Sequence, residues 1–457
     1  MSALNVLLVT YSFPPAGGVG VLRAASLARY LPGQGIRLHV LTARNASAVG
    51  ADASLLNEIP AEVEVHRTVT LDIPFGIKKL IKRVIMRGGA PAAKAAAASA
   101  GGRPGFLKRI VQDILLPDPQ VTWLPALTRA ARHIVKAKQI DVVVITVPPF
   151  SSVLLVERLR RQFPHLAIVV DFRDEWLSTT IDLVSFSHSE RARRLAIAAE
   201  ASAVKNATAV VAVTEVARRE IQGRYPEEPA GKFHHVPNGF DASRLRPLLA
   251  SSVSRLEGKI IVAYVGTIYP STDPTALVEA LLSLPAEVRS RFTLRFIGHI
   301  EEPRYREALL QLGDTVELKG YMPQHEALQA MKETDYVLLV THDRLNISAK
   351  FYDYIGAGKP ILACVHPQGD ARRLIEVLHA GWWAGSDDPN AIRQLFIDAA
   401  ARAGSLASTF QPAVEAIARF ERKVIAQDYA GLLRAIAAGQ GKPAPGAPAV
   451  DRAEEGS

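Results

Sequence analysis

At 457 residues the chain is too long for one ordinary hydrophobic core and suits two domains plus a tail. A 48% hydrophobic, 22% charged composition is that of a soluble globular protein, and a single cysteine, Cys364, excludes a disulfide framework and fits a reducing compartment. The net charge of +9 asks for an anionic partner, and nucleic acid, anionic lipid and sugar nucleotides all answer to it.

Met1–Thr10 has neither the basic start nor the long apolar run of a secretory signal. Asn5–Val9 is predicted as a strand, and Ala24, Leu27, Ala28 and Leu31 then recur at helical spacing. Between them lies TYSFPPAGGVG, Thr10 to Gly20. A strand, then glycines, then a helix is an arrangement that brings backbone close to a phosphate. Arg37–Leu41 and Val63–His66 read as the next strands.

Residues 70–120 interrupt the series. The segment IPFGIKKLIKRVIMR sets Ile77, Leu80, Ile81, Val84 and Ile85 on one helical face beside Lys78, Lys79, Lys82 and Arg83. Such a basic amphipathic helix either lies on an anionic membrane surface or packs on the sheet with its basic face solvated. The following PAAKAAAASAGGRPG is low-complexity. DVVVIT (141–146), helical Ser151–Gln162 and AIVVD (167–171) resume the alternation, and Ala209–Val213 is expected to close it, with helical Glu215–Gln222 behind. Leu195–Val213 carries Glu200 and Lys205 and fails as a membrane span.

A second series follows HVPNGFD, His235 to Asp241. Its strands are expected at Ile260–Val265, Thr293–Ile297, Val316–Leu318, Tyr336–Val340 and Ile361–Val365. Helices separate them at Thr275–Ser283, Arg304–Leu312, Glu326–Glu333 and Ala349–Ile355, with Ala371–Leu378 after the last. β-Branched runs without period 2 argue parallel sheets covered on both faces. The expected fold class is α/β, with two Rossmann-like parallel-sheet domains facing across a cleft. The expected boundaries are 1–240, with 70–120 as an insertion, then 241–408, helices over 409–437, and a disordered tail over 438–457.

Taken as a dinucleotide site, the Thr10–Gly20 loop fails. Gly17-Gly18-Val19-Gly20 lacks the G-x-G-x-x-G spacing, and the second strand ends in HVLTAR where an acidic residue should meet the ribose. As a phosphate cradle it stands: Gly17 and Gly18 carry no side chains, and the next helix begins with free N–H groups. The stretch SAKFYDYIGAGKPILA, Ser348 to Ala363, says more. It places Lys350 and Asp353 at i, i+3 on a helix starting at Ser348. There a carboxylate suits the two hydroxyls of a ribose and an ammonium suits a pyrophosphate.

Five stretches in order, YSFPPAGGVGVLRAASLARYLP, IVVDFRDEW, HHVPNGFD, AYVGTIY and SAKFYDYIGAGKPILA, carry a family likeness across residues 11–363. The chain resembles bacterial GT-B glycosyltransferases of the family 4, group 1 type. The resemblance implies a metal-independent, retaining transfer from a nucleotide-diphosphate sugar to a glycan or lipid-linked acceptor, in the manner of cell-surface polysaccharide biosynthesis. The donor would be held mainly by the second domain. By the same resemblance Gly17 and Gly18 approach the donor from the first domain, Gly266 and Thr267 face the diphosphate, and Asp353, the second acid of the family's glutamate pair, holds the ribose.

The first acid of that pair falls at Leu345, and the diphosphate-binding Arg and Lys of relatives are missing after Gly266. Arg344 and Lys350 are the cations nearby that could replace them. Arg173 stands where many relatives carry a histidine, with Asp171 and Asp174 alongside. Lys350 and the helix start at Ser348 are expected to stabilise the leaving diphosphate, and Arg173 or Asp174 to position the acceptor, unless those two form a structural ion pair.

No Asp-x-Asp occurs, so no metal and no cofactor are expected. His299 and His342 end strands facing the cleft and are candidates to touch the nucleotide. His234 and His235 are read as shaping the hinge, Trp382 and Trp383 as packing residues, and Cys364 as core. The expected partners are the donor, the acceptor and an anionic membrane surface, without nucleic acid. The expected location is the cytoplasm or the cytoplasmic face of the inner membrane. A sugar-nucleotide epimerase of the same architecture and a non-catalytic partner subunit are the competing readings.

Overall fold

A computed structural model describes residues 3–46, 52–70, 116–178, 190–249, 258–322 and 324–439. The first sheet has seven strands: β1 (Leu4–Val9), β2 (Ile36–Ala43), β3 (Glu64–Thr68), β4 (Val142–Val147), β5 (Ala167–Phe172), β6 (Ala209–Ala212) and β7 (Phe233–His235). They are all parallel, in the order β3-β2-β1-β4-β5-β6-β7.

Strands β4 and β5 are buried along their whole length, as apolar runs without period 2 require. Their alternate residues serve two faces. Leu7, Val9, Val143 and Ile145 pack toward α2 (Leu124–Ala137), α3 (Leu154–Gln162) and α4 (Glu190–Asn206). Val6, Leu8, Val142 and Val144 pack toward α1 (Val19–Tyr30).

The expected close of the series at Ala209–Val213 is overturned. After α5 (Glu215–Arg224), Phe233–His235 adds β7, and three residues are too few to show a period. His234 and His235 therefore belong to a strand, and the turn begins only after them.

The second sheet holds β8 (Ile260–Val265), β9 (Phe292–Ile297), β10 (Val316–Gly320), β11 (Tyr336–Thr341), β12 (Ile361–Val365) and β13 (Gly381–Gly385). It is also wholly parallel, in the order β10-β9-β8-β11-β12-β13. β13, which contains Trp382 and Trp383, escapes the sequence patterning because glycines and tryptophans give no alternation. Arg402 lies over the Trp382 ring and Arg372 over the Trp383 ring, so both indoles pack within the second domain. Cys364 is fully buried in β12, where burial pushes its thiol up to about 12.

In each sheet the strand order reverses beside its first strand, between β1 and β4 and between β8 and β11. Open parallel sheets bind ligands at the carboxyl ends of the strands flanking such a point. Both ends of the second domain are tied to the first at one crossing. Phe240 N–H donates to the Phe420 carbonyl at 3.0 Å, and Arg422 N–H donates to the Phe240 carbonyl at 2.9 Å. A Cβ on Gly239 would stand 2.1 Å from the Phe420 oxygen, so the Pro-Asn-Gly turn needs glycine for the two chains to touch.

Beyond the crossing, the last helix returns to the first domain. Ile425, Ala426, Tyr429, Ala430, Leu433 and Ile436 join the core beneath α1. The basic amphipathic segment and the low-complexity stretch expected within 70–120 lie outside the described residues, as does the tail from 440 onward. Among the described residues no helix is long and apolar enough to cross a membrane.

Candidate functional site in the interdomain cleft

The second-domain wall is built around α6 (Ala349–Gly356). Tyr354 on this helix is buried, and its hydroxyl accepts the Val265 N–H at 3.0 Å, which fixes the end of β8 against the helix. Gly266 follows at φ +139°, and a Cβ there would stand 3.1 Å from both Cε and Nζ of Lys350. Backbone conformation and space together demand glycine at 266. The sequence-predicted pair Gly266 and Lys350, 84 positions apart, therefore meets in one place.

Lys350 Nζ donates to the Tyr264 hydroxyl at 2.5 Å and stands 3.8 Å from the centre of that ring. Among the described residues no carboxylate pairs with it, and burial pulls its ammonium down to about 7. Ser348 caps the helix start without a side-chain bond, and its hydroxyl is buried with no hydrogen-bond partner. An unpaired cation, an unsatisfied hydroxyl and the first N–H groups of a helix form a receptor for an anion. Thr267 lies beside it, half-buried, its carbonyl accepting from Tyr264 at 2.8 Å.

Asp353 sits one turn further along. Its carboxylate makes no hydrogen bond or ion pair among the described residues, and burial raises it to about 6 against the counter-pull of Arg422 and Arg244. Lys350 and Asp353 are adjacent on the helix but address different neighbours, the first Tyr264 and Gly266, the second the crossing between the domains.

Arg344 is not a free cation beside the diphosphate position. Its guanidinium pairs with Glu220 on α5 at 2.9 Å, which makes it a link between the domains. Leu345 is buried, and its carbonyl accepts the Thr214 hydroxyl at 2.5 Å. Asp343 organises this loop, taking the N–H groups of Leu345 and Asn346 at 2.8 and 3.0 Å.

On the first-domain wall Gly18, at φ +95°, caps α1, with Gly17 half-buried before it. Arg173, expected to position the acceptor, turns its donors to backbone carbonyls. It binds Gly20, Pro148 (2.5 Å) and Val147 (3.4 Å), so it clamps the glycine loop to the end of β4. No ion pair joins it to Asp174. The neighbouring ion pair is Arg23 with Asp171, bidentate at 2.9 Å and closed from solvent. The same guanidinium donates to the Pro237 carbonyl at 3.0 Å.

Asp174 is left exposed in the gap without a hydrogen bond. Its surroundings raise its carboxyl, first through desolvation and then through Asp343 across the cleft, against the pull of Arg173.

Of the histidines, His342 has both ring nitrogens engaged, with Asp387 at 2.9 Å and the Asp273 carbonyl at 3.1 Å. His299 stacks on Tyr321 at 5.2 Å. A hollow of about 400 Å³ lined by Glu376, His379, Gly381 and Phe410 opens at the start of β13, the end of the sheet opposite the ligand edge.

Residues 83–244 match the family model described as Glycosyltransferase Family 4. That region of the chain is similar to glycosyltransferase family 4. No curated protein matches the chain. Solved structures match it over nearly all its length.

HepE of Anabaena in complex with UDP is 15% identical, with 94% of this chain and 100% of that one aligned at a TM-score of 0.61. Sucrose-phosphate synthase from Thermosynechococcus elongatus is 15% identical over 95% and 100% at 0.62. A candidate UDP-N-acetylglucosamine 2-epimerase of Listeria monocytogenes is 12% identical over 96% and 99% at 0.52. Likeness at this identity shows the fold, which is GT-B.

Proposed function

We propose that the protein transfers a glycosyl group from a nucleoside-diphosphate sugar to a hydroxyl of a glycan or lipid-linked acceptor, with retention of configuration. One observation carries the reading: Lys350, without a carboxylate partner among the described residues, stands against Gly266 at the start of α6 beside the unsatisfied Ser348 hydroxyl. A diphosphate supplies the charge that this arrangement lacks. In the transition state, where the leaving diphosphate gains charge, the ammonium and the helix N-terminus stabilise it more than in the ground state. Asp353 accepts the ribose hydroxyls, and Gly17 and Gly18 close on the donor from the other lip. Asp174, exposed at the carboxyl end of β5, orients the acceptor hydroxyl. The family 4 match and the UDP-bound HepE fold support a sugar-nucleotide donor.

The basic stretch around Lys78, Lys79, Lys82 and Arg83 supports a membrane-surface acceptor on the cytoplasmic face. Reversing those four charges is expected to abolish flotation with anionic liposomes. Unchanged flotation would remove the membrane from the reading.

A second reading, a non-catalytic partner subunit, is favoured by Leu345, which brings no carboxylate to the place of the family's first acid. The deciding experiment incubates the purified protein with UDP-, GDP-, dTDP- and ADP-sugars and follows thermal shift and slow donor hydrolysis. At least one donor is expected to stabilise and be hydrolysed by the wild type, with both effects lost in Lys350→Ala and Asp353→Ala. Stabilisation without turnover would favour the partner subunit. No response to any donor, or identical responses in the variants, would refute the site.

A further inference from the structure

Chemistry that the cleft does not use gathers at the edge of the first sheet. His39 on β2 is paired in register with Glu64 on β3, and His66 follows two residues along β3 on the same face. His39 is only 1% exposed, and both of its ring nitrogens are buried without a hydrogen-bond partner. Nε2 of His66 is orphaned in the same way. Buried polar atoms in folded proteins nearly always have partners, so His39 Nδ1 and His66 Nε2, both orphaned and both facing the Glu64 carboxylate, call for a ligand.

The spacing fits a metal ion. His39 Nδ1 lies 3.5 Å and His66 Nε2 3.8 Å from Glu64 Oε2, and the three donor atoms all fall within 4.8 Å of one another. A tetrahedral ion bound at about 2.0 Å holds its ligand atoms roughly 3.3 Å apart, so small side-chain rotations suffice.

We propose that His39, Glu64 and His66 form a binding site for a divalent transition-metal ion of the zinc type. Two imidazoles and one carboxylate suit such an ion, whereas calcium and magnesium ask for oxygen donors throughout. Lys138, just past α2, donates to Glu64 Oε2 at 2.7 Å. Its ammonium already occupies a place that favours positive charge, and an ion must displace it. The Lys138 side chain is 37% exposed and can move into solvent. Water takes the fourth position.

The site is structural rather than part of the cleft chemistry. His39 precedes Ala43, the last residue of β2, by four residues, about 13 Å along the strand from its carboxyl end. An ion there ties the edge strand β3 to β2 beneath α2.

The test is a titration of the full-length, chelator-stripped protein with Co²⁺. Visible absorption and native mass spectrometry follow binding, with Zn²⁺ as competitor. One ion per chain is expected, with ligand-field bands of low-coordinate cobalt that Zn²⁺ removes, and with a higher Tm in the metal-bound protein. His66→Ala and Glu64→Gln, both at the solvent-accessible edge, are expected to weaken binding on the order of 10-fold or more while keeping the wild-type circular dichroism. Lys138→Ala is expected to tighten it. Failure of the wild type to take up an ion in excess metal would overturn the proposal, as would wild-type affinity in both His66→Ala and Glu64→Gln.

Discussion

On the first-domain wall of the cleft, Arg23 is closed by Asp171 and Arg173 by three backbone carbonyls. On the second-domain wall, Lys350 has only a tyrosine, and the Ser348 hydroxyl and the Asp353 carboxylate have no hydrogen bond. The first wall spends its charges on holding the glycine loop and the crossing in place. The second keeps its polar groups uncommitted, at a cost in desolvation that only a ligand offsets. A charged residue in a cleft thus reads as scaffold or as binding site according to whether its partners are already present.

The largest effect on stability is expected on the scaffold wall. Arg23→Ala strands the buried Asp171 carboxylate and should cost about 3–5 kcal/mol in denaturant unfolding. A loss under 1 kcal/mol would mean that the pair does not hold the crossing. Lys350→Ala should instead leave folding intact and lower donor-dependent kcat/KM by about 10²–10³-fold. An equal fall in stability would blur the distinction between the walls.

Asp353→Asn should weaken donor binding by roughly 10-fold, the worth of a charge-assisted hydrogen bond or so. The pH dependence follows from the two shifted groups. Asp353, raised to about 6, accepts ribose hydroxyls best above that pH, and Lys350, lowered to about 7, is charged below it. Donor affinity should therefore peak between pH 6 and 7 and fall on both sides. A flat profile from pH 5 to 8.5 would exclude both assignments. Arg344→Ala, which removes a half-exposed link to Glu220, should change stability by less than about 1 kcal/mol and leave donor affinity unaltered. A large loss of affinity would return Arg344 to the donor site.

The sequence carries the two sheets well, because β4, β5, β11 and β12 are fully buried strands, and β8 is buried up to its last residue, so their apolar runs announce themselves. It misses β7, which is too short for a pattern, and β13, which is glycine and tryptophan. It also gives no destination for Arg422–Ala437, since an amphipathic stripe does not say which domain it will cover.

At the site, the helix carrying Ser348, Lys350 and Asp353 is legible by spacing, and Gly266 by its place after β8. The partners of Arg173 and Arg344 are not legible, because both lie far off in the chain: Gly20 is 153 positions from Arg173 and Glu220 124 from Arg344. The alternation of Glu64 and His66 along one strand is visible in the sequence. Its meaning depends on His39, which only the register of β2 with β3 supplies.

Above pH 7 the unliganded protein holds Lys350 mostly uncharged, and a bound anion restores its charge. Its folded pKa lies below its unfolded value of 10.5, so the unfolded chain binds more protons between the two, and the unliganded protein should gain stability as pH rises from 7 to 10.5. Lys350→Met should remove that slope and raise Tm near neutrality by a few degrees. The most direct measurement is calorimetric binding of a sugar nucleotide at pH 8 in buffers of different ionisation enthalpy. A diphosphate ester has no group titrating there, so uptake of about one proton per donor bound, lost in Lys350→Met, is the expected result. Binding without proton uptake, or the same uptake in Lys350→Met, would contradict it.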